Sequence, residues 1–174
     1  QAVIVMPKFT PWTKIENTRR LGAQVVLSGE TLAQARDGMA GIAAERGLTV
    51  VHPYDDPAVI AGQGTVGLEM LRQQPQLDAV LMPVGGGGLA AGMSIAIHHQ
   101  APSVALYGVQ VRAYRAMFDA LAASAPQPAG QLPSPAATDE RGGPTIAEGI
   151  AVEQPGQLTT PVLRQHLAGM LLVG

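Results

Sequence analysis

Apolar positions fall into short runs separated by stretches of helical periodicity. Val3–Met6, Gln24–Leu27 and Leu48–Val51 are brief and mostly aliphatic, too short for helices and suited to strands buried on both faces. Between them, 13–21 reads as a helix stopped by Gly22. A longer amphipathic helix then runs from an N-cap at Thr31 to Arg46 and ends at Gly47. Strand, helix, strand, helix, strand predicts a parallel sheet with helical crossovers. The turn-rich His52-Pro53-Tyr54-Asp55-Asp56-Pro57 interrupts this alternation and marks the expected domain crossover. Beyond it the pattern predicts a helix over 58–73, a strand over 79–84, a helix over 89–100, a strand over 104–110 and a helix over 113–123. The Pro-rich stretch 124–144 reads as a surface loop and 145–152 as irregular. A helix over 161–167 and a strand over 170–173 complete the chain. The fold class is α/β, with parallel sheets flanked by helices.

Gly62, Gly64 and Gly67 lie inside the predicted 58–73 helix. Each costs a helix interior about 1 kcal/mol relative to alanine, and a close packing contact would rationalise them.

Composition narrows the function classes. The 174 residues are 47% hydrophobic, 14% charged and 3% aromatic, with a net charge of −2 and no cysteine. A sizeable aliphatic core is available. There is no electrostatic case for nucleic acid or an anionic membrane, and no cysteine framework for disulfides or metal. No apolar run approaches the roughly 18 residues of a membrane span, and the N-terminus has no signal-peptide pattern. A cytoplasmic location is expected.

The most informative stretch is Asp78 through Gly92, where an apolar strand enters Gly85-Gly86-Gly87-Gly88 and a small-residue helix follows. A strand-to-helix turn presents free N–H groups and the positive end of the helix dipole, which together make an anion site, most often for phosphate. A flexible linker is the bland alternative. It is disfavoured by the core-type residues that flank the run closely. Gly86 to Ala91 also fits a dinucleotide fingerprint, but the following strand ends in Gln110 rather than the expected carboxylate about 20 residues on. No Gly-Lys-Ser/Thr follows the glycines, so a P-loop is excluded. A smaller phosphorylated cofactor fits better.

Four segments, in order, carry a family resemblance: Glu16-Asn17-Thr18-Arg19-Arg20-Leu21-Gly22-Ala23; His52 to Pro57 followed by Ile60-Ala61-Gly62-Gln63-Gly64-Thr65; the tetraglycine stretch; and Thr145 to Val152. Together they resemble the threonine dehydratase and serine racemase family of fold type II pyridoxal-phosphate enzymes, dehydratases most closely. The resemblance implies a two-domain enzyme incomplete at both ends here, with 1–55 part of the small domain and 56–174 part of the large, cofactor-binding domain. It implies pyridoxal 5'-phosphate as cofactor, its phosphate held by Gly85, Gly86, Gly87, Gly88 and Leu89. Gly149 would lie against the cofactor ring and Tyr54 near its edge. The implied reaction is β-elimination from L-threonine or L-serine, giving a 2-oxo acid and ammonia, in a homo-oligomer when intact. No catalytic residue is assigned.

Two departures from the family pattern stand out. Neither Lys8 nor Lys14 sits in the family's Schiff-base motif, Ser-(Phe/Tyr)-Lys-x-Arg, and the Ser-Asn-Gly-Asn-His substrate loop is absent. The racemase metal position is Gln110, with Tyr114 and Ala116 at the companion positions, so no metal is expected. The alternatives are a serine or aspartate racemase of the same fold, a non-catalytic phosphate-ligand module, and a nicotinamide-dependent reductase, which Gln110 disfavours.

The remaining polar residues receive structural readings. His52 is expected in a cap or hinge hydrogen bond. Asp55 and Asp56 are expected to N-cap the helix that opens near Pro57, in preference to a paired acid/base role. His98 and His99 read as cations at a helix C-terminus, and His166 as a residue on a surface helix. Glu148 reads as a structural acceptor, and Met70, Met82 and Met93 as core filling.

Overall fold

The computed structural model of the protein describes residues 2–123 and 142–174. Its contacts divide the chain into two compact units, Gln1–Val51 and His52–Gly174. The loop expected over 124–144 lies, apart from 142–144, outside the described residues.

The first unit contains β1 (Val3–Met6), α1 (Trp12–Arg20), β2 (Gln24–Leu27) and α2 (Leu32–Arg46). β1 and β2 pair in parallel, Val3 opposite Gln24 and Met6 opposite Leu27. Thr31 accepts the Gln34 N–H at 3.2 Å, and the Gln34 side chain accepts the Glu30 N–H at 2.7 Å. These bonds satisfy donors at the start of α2. At its other end Gly47 adopts φ +61°, the left-handed conformation that stops the helix. The expected third strand at 48–51 is not formed. The Leu48 N–H turns back to Ala43 O at 2.9 Å and so belongs to the helix termination. No described strand pairs with 48–51, and Val51 is 63% exposed. An apolar run becomes a strand only where a neighbour supplies the ladder.

The second unit contains α3 (Pro57–Gln73), β3 (Ala79–Pro83), α4 (Gly88–Gln100), β4 (Ala105–Val111), α5 (Ala116–Ala122), α6 (Thr159–His166) and β5 (Gly169–Val173). Short 3-10 turns occur at Arg112–Tyr114 and Glu148–Ile150. The sheet is parallel in the order β3-β4-β5, with Ala79 opposite Ala105 and Tyr107 opposite Gly169. Alternate residues of β3 point inward, so Val80 and Met82 are buried while Leu81 is 62% exposed. They join Val84, Met93, Ile97, Leu106, Met117 and Leu163 in one core. Met82 and Met93 fill it as expected, and Met70 packs at its margin.

Two of the three helical glycines of α3 have a packing reason. A Cβ at Gly64 would stand 3.1 Å from Gly92 O, and one at Gly67 would stand 3.0 Å from the Ile97 side chain. Gly92 is tighter still, since its Cβ would meet Ile60 O, with Gly64 N at 2.7 Å. Small residues on both helices bring the α3 and α4 backbones together. Gly62 is exposed and faces open space, so nothing in its surroundings requires glycine.

Candidate functional site

β3 delivers the chain into a tight turn. The Val84 N–H bonds Val109 O at 2.8 Å, Gly85–Gly87 follow, and α4 opens at Gly88. Gly87 has φ +99°, which a side chain tolerates poorly. The first helical rung runs from the Ala91 N–H to Gly87 O at 2.8 Å. The N–H groups of Gly88, Leu89 and Ala90 therefore precede the ladder and are oriented along the helix axis. The first turn of α4 has no acidic residue. The positive end of the helix dipole is thus unopposed from within α4.

No glycine of the run could carry a side chain without displacing a neighbour. At Gly85 a Cβ would be 3.0 Å from the Val152 side chain and 3.1 Å from Ile150 Cα. At Gly86 it would overlap the Tyr54 ring, and at Gly88 it would be 2.9 Å from Tyr54 Cα. At Gly87 it would be 2.7 Å from Thr159 Oγ1 and 2.9 Å from Met117 Cε. A Tyr54 wall, an Ile150–Val152 wall and a Thr159–Met117 wall thus enclose the loop.

Neighbouring side chains hold the loop's carbonyl groups. Gly86 O accepts from Thr159 Oγ1 at 2.7 Å and from the Gly156 N–H at 3.1 Å. Gly85 O accepts a long 3.5 Å contact from Gln110 Nε2, whose Oε1 accepts the Phe118 N–H at 3.0 Å. Thr159 and Gln110 are both fully buried. Gln110 is therefore a brace between the loop and α5.

The segment preceding α3 supports the same region. Asp56 caps α3, accepting from Ala58 N at 2.8 Å and Val59 N at 3.1 Å, with Pro57 in the first turn. Asp55 does not share that role. Its carboxylate accepts the N–H groups of Gln157, Leu158 and Thr159 at 2.9, 2.8 and 3.3 Å, capping α6 instead. The reading of both aspartates as caps of one helix is corrected. Successive side chains leave the backbone in different directions, and only one can reach the α3 N–H groups. His52 makes the expected local bond, its Nδ1 accepting the Asp55 N–H at 2.8 Å. The Tyr54 ring packs edge-on to His52 at 4.6 Å, and its hydroxyl donates to Gln154 O at 3.1 Å.

The predicted residues Tyr54 and Gly85 to Leu89 are therefore gathered at one place. Gly149 is not in the loop wall. It sits in the exposed turn at 148–150 with open space beside it, and its neighbour Ile150 makes the contact with Gly85. Glu148 heads that turn, its carbonyl accepting the Ala151 N–H at 3.3 Å. Thr159, Gly156 and the capping of α6 by Asp55 escape a reading of the sequence. Gln154-Pro155-Gly156 signals a turn, but no local pattern names its partner 70 residues away. His166 is not a bare surface residue either. Its ring lies 4.7 Å from that of His98, and its Nδ1 is shielded without a hydrogen-bond partner. Burial, and secondarily His98, lower its pKa below 6.5. No group of three or more His, Cys, Asp or Glu capable of holding a metal occurs among the described residues. No helix among them is long and apolar enough to cross a membrane.

A family model described as pyridoxal-phosphate dependent enzyme matches residues 1–174. The chain belongs to that family. Its cofactor is pyridoxal phosphate. An L-threonine ammonia-lyase of Thermotoga maritima is 41% identical over 172 residues, 99% of this chain and 40% of that protein. Among solved structures, the processed form of threonine deaminase isoform 2 from Solanum lycopersicum superposes with a TM-score of 0.82. It is 36% identical, over 99% of this chain and 45% of the other. Maize serine racemase follows at a TM-score of 0.81 and 28% identity, over 99% and 49%. The chain thus spans less than half the length of these relatives. The expectation of an α/β fold with parallel sheets flanked by helices is met.

Proposed function

We propose that this chain forms the phosphate-holding part of a pyridoxal-phosphate dependent ammonia-lyase acting on L-threonine or L-serine. The observation that carries this reading is the all-glycine turn into α4, in a chain 41% identical to a threonine ammonia-lyase. The residues suit the cofactor's phosphate. N–H groups ahead of the helical ladder converge beside a dipole with no acidic residue in the first turn. When bound, pyridoxal phosphate supplies the electron sink for breaking the Cα–H and Cβ–O bonds of a β-hydroxy amino acid.

The roles of the chain's own residues follow from that assignment. Gly85 to Leu89 hold the phosphate through backbone N–H groups. Tyr54 closes one flank of the loop and keeps water from it. Gly149 would lie against the cofactor ring. Residues 1–55 are part of the small domain, and 56–174 part of the large one.

Titration with pyridoxal phosphate and with pyridoxal, followed by amide resonances, tests the phosphate site. Shifts at Gly85 to Leu89 with the first ligand alone support it, and equal shifts with both overturn it. Release of 2-oxobutyrate from L-threonine by the intact enzyme tests the activity; conversion of L-serine to D-serine without it would favour the racemase reading. The 174-residue chain by itself should show no turnover above free cofactor. Turnover lost in the Lys8→Ala, Lys14→Ala double variant would make one of those lysines the catalytic base.

A further inference from the structure

The four glycines let Tyr54, Ile150, Val152, Met117 and Thr159 pack directly against the turn, but do not fix which way its peptide planes point. Glycine has the most backbone freedom of any residue, so an unsupported tetraglycine turn would sample many peptide orientations. In a trans peptide the C=O of one residue and the N–H of the next point in opposite directions. Anchoring a loop carbonyl on one side therefore presents the following N–H on the other.

That anchoring is built from outside the loop. Gly86 O receives two donors, Thr159 Oγ1 at 2.7 Å and the Gly156 N–H at 3.1 Å. Thr159 is fully buried, so its hydroxyl has no competing water. Thr159 is itself held by its backbone. The Asp55 carboxylate accepts the N–H groups of Gln157, Leu158 and Thr159. Asp55 adjoins Tyr54, whose ring covers Gly86.

We propose that Thr159, held in place by Asp55, is a positioning residue that locks the Gly86–Gly87 peptide so that the Gly87 N–H is presented to the bound phosphate. This rests on the reading of the glycine turn as a phosphate cradle. Thr159 touches neither cofactor nor substrate and acts through the Gly86 carbonyl.

The test compares the dissociation constants of pyridoxal phosphate and pyridoxal for the full chain, whose ratio isolates the phosphate contribution. Thr159→Val keeps the shape and removes the donor. It should lower the preference for pyridoxal phosphate about tenfold while leaving pyridoxal affinity unchanged. Thr159→Ser restores the hydroxyl and should recover the preference, which a role confined to packing would not produce. Asp55→Asn should give a smaller loss in the same direction. If the wild-type chain prefers pyridoxal phosphate and Thr159→Val retains that preference within twofold, the inference is wrong and the cradle stands. If the wild-type chain shows no preference, the cradle reading fails and the inference with it. Should the variants not fold, the Gly87 amide resonance of the wild-type chain decides. It must move with pyridoxal phosphate and not with pyridoxal, and an unresponsive Gly87 amide overturns the proposal.

Discussion

The Asp55 carboxylate accepts the Leu158 N–H at 2.8 Å, joining residues 103 positions apart. One aspartate thereby caps α6, while its neighbour Asp56 caps α3. Two adjacent acidic residues start two helices, and α6 is the element that places Thr159 against the glycine loop.

Asp55→Ala should cost about 2 kcal/mol of stability, because three N–H groups lose a charged acceptor. Asp56→Ala, which removes an ordinary N-cap, should cost about 1 kcal/mol. Urea unfolding of the two variants measures the difference. Equal losses would mean that the Asp55 cap contributes no more than a local one.

Helical glycines in α3 and α4 should respond oppositely to alanine. Gly62→Ala fills open space on an exposed helical turn and should stabilise by about 0.5–1 kcal/mol. Gly92→Ala drives a methyl group into Ile60 O and should destabilise by more than about 2 kcal/mol. Thermal melts of both variants check the contrast. A stabilised Gly92→Ala would show that the helices separate at little cost.

Gly87→Ala combines two penalties. A φ of +99° strains any side chain, and the new methyl group would crowd Thr159 Oγ1 and Met117 Cε. The expected loss is about 2 kcal/mol or more, measured by denaturant unfolding. A loss within about 0.5 kcal/mol would mean that the loop readily adopts another conformation.

His166 should make the fold sensitive to mild acid. Its folded pKa lies below 6.5, chiefly from burial and secondarily from His98, so the unfolded chain binds its proton first as pH falls. The stability it preserves is complete above about pH 6.5 and declines as pH drops through 6.5 toward the lowered value, with no further loss below that value. His166→Gln should flatten the fall in melting temperature over this window. An unchanged slope in the variant would remove His166 as the cause.

Much of the architecture is readable in the chain because it is decided locally. Thr31 and Gly47 bound α2 through a side-chain cap and a left-handed residue, both matters of neighbouring positions. The alternation of Val80 and Met82 with Leu81 follows from the two-residue period of a strand. The glycine run between a strand and a helix marks the candidate site because few other roles suit that backbone. What the chain could not disclose depends on partners distant in sequence. The apolar run 48–51 has the pattern of a strand but no described ladder, while Leu48 is taken up in ending α2. Asp55 has the look of a local cap, yet its carboxylate closes a helix that begins at Thr159. Gln110 occupies the position at which a nucleotide fold would place a carboxylate, and it serves as a buried brace between Gly85 and Phe118. Propensity and periodicity act over a few residues and leave their record in the sequence. A polar side chain's partner is set by which backbone groups the packed core brings within hydrogen-bond reach, and only the tertiary structure decides that.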